Sequence, residues 1–283
     1  MTERRAGRLW VVATPIGNRE DLSPRAQAVL RMCDLIAAED TRHSMALLMH
    51  YGIAARVIAL HEHNERAVGD ELVRRLREGA TIALISDAGT PLISDPGFRL
   101  VRAARAAGIA VSPVPGPCAA IAALSVAGLP SDRFVFEGFL PARAAARRAR
   151  LQALRGESRT LILYEASHRI AETLEDCRAV LGDERRAVLA RELTKLYETV
   201  LDGTLAELAA RLAADADQRR GEFVLLIAGI EEDDAAARLA EGRRVFELLR
   251  RELPPGRAAK LASEISGAPR KALYAERESP PEP

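Results

Sequence analysis

Short apolar runs recur through residues 9–114, each followed by a polar turn and then a helical pattern. The runs are Leu9–Ala13, Leu35–Ala38, Val57–Leu60, Thr81–Ile85 and Val111–Val114. The first and fourth are almost wholly apolar, as strands covered on both faces of a parallel sheet must be. Helix signals fall between them. Ser23 precedes Pro24 as an N-cap before an N1 proline, Asn64 is placed to cap a helix through Leu76, and Gly108 closes one that begins after Ser94. Such a βα repeat feeds a parallel sheet through right-handed crossovers.

After PGPCAAIAALSVAGLP, Pro115 to Pro130, the rhythm changes. Strands expected at Phe134–Phe139, Thr160–Tyr164, Ala187–Ala190, Glu198–Leu201 and Phe223–Ala228 include two closely connected pairs, which predicts antiparallel neighbours in a mixed sheet. The expected fold class is therefore α/β, with two α/β domains. Residues 1–116 carry a mainly parallel sheet, residues 117–230 a mixed sheet, and residues 231–283 a charged helical extension ending in a frayed tail from Ser279. Within the extension, AAKLASEISGAPRKALY has the small-residue and turn-glycine spacing of a helix-turn-helix, though a plain charged helical cap has the same composition.

A chain of 283 residues has room for two cores, and 48% hydrophobic with 29% charged residues is ordinary globular composition. The formal net charge of +1 excludes a uniformly basic coat for nucleic acid but leaves room for a local basic patch. MTERRAGRLWVVATP contains no long apolar stretch of the secretory kind, and no run reaches membrane-spanning length, so a cytoplasmic protein without a membrane partner is expected. Cys33, Cys118 and Cys177 are odd in number, scattered and free of C-x-x-C spacing. They read as reduced thiols, with no disulfide framework and no metal site expected.

Four strand ends carry unusual chemistry: Thr14–Asn18, Glu39–His43, the loop SDAGTPLISDPG from Ser86, and Pro115–Ala119. Ligands of open parallel sheets bind at those carboxyl ends. Glycine and proline there allow close backbone approach and fix turns without bulky side chains. Any one such loop reads as a tight turn; four on one rim argue for a site. No G-x-G-x-x-G follows the first strand and no G-x-x-x-x-G-K-[ST] is present, so a ligand held by loop backbone and apolar walls fits better than a dinucleotide. Asp87 can accept hydrogen bonds from an amine or a hydroxyl, and Ala88, Cys118 and Ala119 are small enough to flank a flat ring.

LWVVATPIGNREDLSPRA, LIAAEDTRHS, SDAGTPLISDPG, PVPGPCAAIAAL, FEGFLPAR, YEASHR and ARELTK occur in that order. Together they resemble the bacterial small-subunit ribosomal RNA methyltransferase I family, a branch of the tetrapyrrole methylase superfamily. The match spans about Leu9 to Gly229, with a weaker echo in the C-terminal helices. Arg19, Cys118 and Ser167 stand where that family usually has leucine, serine and proline, and the thiol of Cys118 is a weaker donor than a hydroxyl. The resemblance implies 2′-O-methylation of a cytidine ribose in 16S ribosomal RNA, with S-adenosylmethionine as the donor cofactor folded into a cleft between two α/β domains. It places that cofactor against Pro15 and Ile16, then Asp87, Ala88, Gly89 and Ile93, then Cys118 and Ala119. In the second domain it implies contacts at Tyr164, Glu165, Leu193 and Thr194. By the same analogy the partners are 16S ribosomal RNA or the 30S subunit and a second copy of the chain.

Candidates for a base or an aligning group are Glu39, Asp40, His63 and Lys195, grouped at EDTRH, HEHNE and ELTK. Arg42 and His43 stand beside them as a substrate-facing wall, and Arg169 is either structural or RNA-facing behind a Ser167 N-cap. Basic character concentrates in PARAAARRARLQALRG, which has no acidic residue before Glu157; helical spacing puts Arg143, Arg147 and Arg150 on one face suited to phosphate contact. Two other readings stay open: a tetrapyrrole methylase, and a non-catalytic RNA-binding assembly factor.

Overall fold

The structure is a computed structural model that describes residues 6–61, 63–230 and 234–273. Strands β1 (Arg8–Val12), β2 (Leu35–Ala38), β3 (Val57–Ala59), β4 (Thr81–Ile85) and β5 (Ala110–Val114) form one sheet in the order β3-β2-β4-β1-β5. All of its pairings are parallel, with Ala37 opposite Leu84 and Leu9 opposite Ile82. Every residue of β2 and β4 is buried because helices cover both faces. On one side α1 (Pro24–Met32) and α2 (Thr41–His50) pack through Val29, Leu30 and Leu48. On the other, α3 (Glu65–Arg77) and α4 (Phe98–Ala106) contribute Leu72, Leu76 and Leu100.

The second sheet has the order β6-β7-β10-β8-β9, from β6 (Phe134–Phe139), β7 (Thr160–Ala166), β8 (Arg186–Arg191), β9 (Thr199–Thr204) and β10 (Glu222–Ile227). Its β6–β7 pairing is parallel and the other three are antiparallel, so the sheet is mixed as expected. The last strand, β10, lies at the centre and is buried from Phe223 to Ile227. Helices α6 (Ala144–Ala153), α7 (Ile170–Leu181) and α8 (Leu205–Ala214) cover one face through Leu151, Leu174 and Leu208. The other face packs on α5 (Ala119–Val126) through Ala123 and Leu124.

Three local expectations give way. EDTRH opens helix α2, with Asp40 as N-cap accepting from the backbone N–H of Arg42 at 2.7 Å and of His43 at 3.4 Å. Asn64 precedes α3, yet its side chain turns back to accept from His61 N–H and donate to the Ala59 carbonyl. Arg169, rather than Ser167, occupies the N-cap position of α7.

Both sheets belong to one compact unit ending at Ala228, and a second unit starts at Gly229. Within the second, α9 (Asp234–Leu249) and α10 (Pro255–Ser266) are followed by a 3-10 turn at Arg270–Leu273. Val245, Phe246, Ala258, Ala259 and Ala262 form its small core, and left-handed Gly267 ends α10. Tyr274, the last residue of the expected helix-turn-helix stretch, and the tail from Ser279 lie outside the described residues.

Candidate active site

The loops at the carboxyl ends of the parallel strands are tied to one another. Buried Thr14 pairs with Gly89 through both backbone groups, at 2.9 and 3.1 Å, and its hydroxyl donates to the Ser86 carbonyl at 3.1 Å. Thr90 Oγ1 donates to the Pro117 carbonyl at 2.9 Å, joining the β4 loop to the one after β5. Gly17 brings the first loop against the second sheet's loop. A Cβ there would stand 2.4 Å from Cγ of Lys195, and Asn18 N–H donates to Thr194 Oγ1 at 3.1 Å.

Among the described residues the non-glycine residues with positive φ are Leu92, Ser94, Glu192 and Thr194. All of them sit in the two loops that meet at this place. Each such conformation costs on the order of 1–3 kcal/mol and persists only where surrounding contacts enforce it. Their clustering marks the site independently of any motif.

Between these loops and the second sheet lies a cavity of about 330 Å³. Nine of the expected cofactor residues line it: Ile16, Ala88, Gly89 and Ile93 from the first sheet's loops, Cys118 and Ala119 at the start of α5, and Tyr164, Glu165 and Leu193 from the second half. Pro15 and Asp87 line an adjoining cavity of about 280 Å³, which shares Ile16 and Ala88 with the first and also includes His43 and Lys195. Thr194 lines neither; its hydroxyl holds Asn18 instead. The sequence reading missed Ser94, Asp95, Phe139, Ala190, Phe223 and Val224. Ser94 and Asp95 lay within the motif already singled out. Phe139 and Ala190 likewise stand in FEGFLPAR and ARELTK, while Phe223 and Val224 arrive through strand pairing, β10 beside β7 and β8, which no local pattern announces.

Asp95 is the unusual polar group of this wall. Its Oδ2 is buried with no hydrogen-bond partner. Burial, the charge of Glu39 and the charge of Asp87 push its carboxyl up to about 7, while a hydrogen bond from Ser86 pulls the other way. Glu39 is likewise raised, first by burial and then by Asp87, with Asp40 adding to it. A carboxylate held near neutrality with a free buried oxygen can accept a proton or bind a cationic or hydroxyl donor.

Other candidates are already engaged. Lys195 Nζ lies 2.9 Å from both Glu192 and Glu222; burial works against its charge, but these carboxylates raise its pKa, so it is a paired cation and no base. The Asp40 carboxylate caps α2, and Asp40 N–H donates to Asp87 Oδ1 at 3.0 Å. His63 is exposed, lines neither cavity, and has its ring 6.0 Å from that of His61. Glu165 is buried, with Oε2 accepting from Thr173 Oγ1 at 2.6 Å and Oε1 3.3 Å from Nε of Arg169. Burial pushes the Tyr164 hydroxyl up, and that oxygen accepts from Ala120 N–H at 3.0 Å, fixing the start of α5.

The expected RNA face on α6 is corrected. Arg147 is 2% exposed, with Nε 2.6 Å from Asp176 Oδ2 and a further ion pair to Glu172. Arg150 is held by both oxygens of Glu137 at 2.7 and 2.8 Å. The nearest acids in sequence are distant, but folding brings α7 and β6 carboxylates onto the helix. Arg169 is also structural: it donates to the Leu140 carbonyl at 2.7 Å and pairs with Glu165. Arg143, the N-cap of α6, and Arg42 and His43 on α2 remain exposed. Among the described residues no group of three or more His, Cys, Asp or Glu side chains is arranged to hold a metal ion, and no helix is long and apolar enough to cross a membrane.

A parallel sheet and a mixed sheet lie in one unit, with a strained, cross-tied cavity where their loops meet, and the class of protein follows from a family match over most of that unit. The family model for tetrapyrrole (corrin/porphyrin) methylases matches residues 8–209, and the model for the RsmI C-terminal HTH domain matches residues 236–276. Among solved structures, diphthine synthase aligns with TM-score 0.61 and 16% identity over 78% of this chain and 89% of its own. A uroporphyrin-III-C-methyltransferase from Thermus thermophilus aligns with TM-score 0.53 and 21% identity over 78% and 94%; at such identities the likeness is one of fold. Curated relatives are far nearer. "Ribosomal RNA small subunit methyltransferase I" of Xylella fastidiosa strain Temecula1 is 63% identical over 95% of this chain and 98% of its own length. The proteins of the same name from Pseudomonas aeruginosa and Escherichia coli O157:H7 are 60% and 54% identical, over 95% of this chain and 96% and 93% of theirs. The chain belongs to the ribosomal RNA small subunit methyltransferase I family.

Proposed function

We propose that this chain transfers a methyl group from S-adenosylmethionine to the ribose 2′-oxygen of a cytidine in 16S ribosomal RNA. Near-full-length identity of 63% to a relative named for small-subunit ribosomal RNA methylation carries the reading. The residues suit the donor. Its flat and aliphatic parts match the small apolar walls at Ala88, Ala119, Ala190 and Val224. When bound, S-adenosylmethionine supplies an electrophilic methyl group on a sulfonium. Ile16, Gly89, Ile93, Cys118, Ala119, Tyr164 and Leu193 would hold it, with Pro15, Asp87 and Thr194 at the margin.

The protein's main task is alignment of the ribose hydroxyl in a place closed to water, which can supply roughly 7–11 kcal/mol of the barrier. A base typically adds about 10²–10⁴ in rate. The attacking hydroxyl's proton goes to the Asp95 carboxylate, whose raised pKa and vacant oxygen suit that task. Glu39 supports Asp95 through like charge. Lys195 and Asp40 act by holding loops in place. His43, which lines the adjoining cavity, and its exposed neighbour Arg42 meet the RNA.

The same reading includes a homodimer, a cytoplasmic location, and a domain boundary at 116/117 between β5 and α5. Purified protein is incubated with labelled S-adenosylmethionine and either 30S subunits or protein-free 16S RNA, and the modified ribose is mapped. Label on one cytidine ribose is expected. Label entering uroporphyrinogen instead would assign a tetrapyrrole methylase, and RNA binding without saturable donor binding would assign an assembly factor.

A further inference from the structure

Arg147, Arg148 and Arg150 on α6 are paired within the fold, whereas α3 and α4 begin with unpaired arginines near the cavity. Both helices start at the carboxyl ends of strands of the parallel sheet, on the rim that holds the cavity. The β4 loop lines that cavity with Ile93, Ser94 and Asp95, then passes through Pro96 and Gly97 directly into Phe98. Arg66, Phe98, Arg99 and Arg102 line a groove of about 580 Å³ there.

We infer that this groove is the track on which the ribosomal RNA strand lies as it leaves the active-site cavity, phosphates against Arg66, Arg99 and Arg102 and a base against Phe98. The inference rests on the methyltransferase reading above and adds where the RNA runs.

Several independent features support it. Arg66, Arg99 and Arg102 are exposed, and among the described residues none has an ion-pair partner. Further along α3, by contrast, Arg74 and Arg75 both pair with Glu71. Arg66 and Arg99 are each the second residue of their helix, where the positive end of the helix dipole disfavours a cation, with the Glu65 carboxylate at both starts as the offsetting charge. Among the described residues no ion pair of the fold uses these three charges, which leaves them available to a ligand. Phe98 is 62% exposed, a flat apolar ring in the same groove as the three arginines, as single-stranded RNA requires for stacking. The surface is also rigid. The buried carboxylate of Glu65 accepts from Gly97 N–H at 3.1 Å and Arg99 N–H at 2.8 Å, clamping the start of α3 to the start of α4. The acid lining the adjoining groove, Asp70, lies a turn lower, away from the rim.

The test compares native protein with Arg66→Gln/Arg99→Gln/Arg102→Gln, and separately with Phe98→Ala and Phe98→Tyr. Affinity for protein-free 16S RNA is measured by filter binding over a range of salt, affinity for S-adenosylmethionine by calorimetry, and the fold by thermal unfolding. Losing three phosphate contacts lowers the steepness of log K against log salt by about 2 and affinity at low salt by about tenfold or more. The loss appears in KM for RNA, while donor affinity and Tm hold, since removing cations from helix starts does not weaken the helices. Phe98→Ala weakens RNA binding with the salt slope unchanged, and Phe98→Tyr restores it. A folded triple variant with native RNA affinity and native salt slope overturns the inference, as does a defect confined to binding of ribosomal proteins. If native protein binds RNA through these arginines yet transfers no methyl group, the track stands and the methyltransferase reading falls.

Discussion

Arg147 with Asp176, in the second half of the α/β unit, and Asp95 with Glu39 and Asp87, in the first, are clusters of ionisable groups withdrawn from water with opposite outcomes. Burial pushes Asp176 up, but hydrogen bonds from Arg148 at 2.5 Å and Arg147 at 2.6 Å more than offset it and hold the carboxyl below its ordinary range. Asp95 has no cation beside it; burial and two like charges leave it near 7. A closed ion pair anchors α6 on α7. An unrelieved group of carboxylates costs stability and is kept where chemistry uses it.

The largest way to break this contrast is to open the pair. Arg147→Ala takes the buried cation away from Asp176 and leaves it with the exposed Arg148 alone; breaking a buried pair costs about 3–5 kcal/mol, and the surviving Arg148 bond puts this variant at the low end. Urea unfolding should show that loss, and a change under about 1 kcal/mol would mean that the cluster is solvated and the contrast false. Next comes Asp95→Asn, which should lower turnover at pH 8 by about 10²-fold, the lower end for a lost base because alignment persists. Native turnover should rise with pH through about 7 and the residual activity of the variant should be flat there. A variant keeping the native profile would remove Asp95 from proton transfer.

The same substitution has a stability signature of opposite sign to Arg147→Ala. The folded-state pKa of Asp95 is raised to about 7 from an ordinary 3.8, so the native fold binds a proton that the unfolded chain releases between those values. Native stability therefore falls as pH rises from about 4 to 7 on account of this group, and the penalty is complete above 7. Asp95→Asn should match the native Tm near pH 4 and exceed it at pH 8. Asp176 behaves inversely: its stabilisation is present above the ordinary carboxylate range and fades as pH drops through its lowered value.

The first half of the fold was legible because parallel strands announce themselves: β2 and β4 start and stop where the apolar runs at Leu35–Ala38 and Thr81–Ile85 do. Nine of the expected cofactor residues also fall on one cavity, because the motifs that carry the family resemblance place them; of the nine, Ala88, Gly89, Cys118 and Ala119 also leave a local trace as small residues at strand ends. What failed was pairing at a distance. The arginines between Arg143 and Arg155 look free in a stretch without acids, yet Asp176, Glu172 and Glu137 reach them only after α7 and β6 have packed. Phe223 and Val224 reach the cavity by strand order alone. Asp95 stands in SDAGTPLISDPG, but its isolation is a property of the folded surroundings that no residue pattern carries.

The gentlest test sharpens the boundary between the structural arginines and those free for RNA. Arg150 is half exposed and bidentate to Glu137, so its pair is worth about 0.2–1 kcal/mol, far less than the buried Arg147 pair on the same helix. Arg150→Gln should therefore move Tm slightly and leave 16S RNA affinity and its salt slope at native values. Its charge is already met by Glu137, so removing it takes nothing from a phosphate. A tenfold loss of RNA affinity in this variant would restore the α6 face as an RNA surface and show that Glu137 yields its partner when RNA arrives.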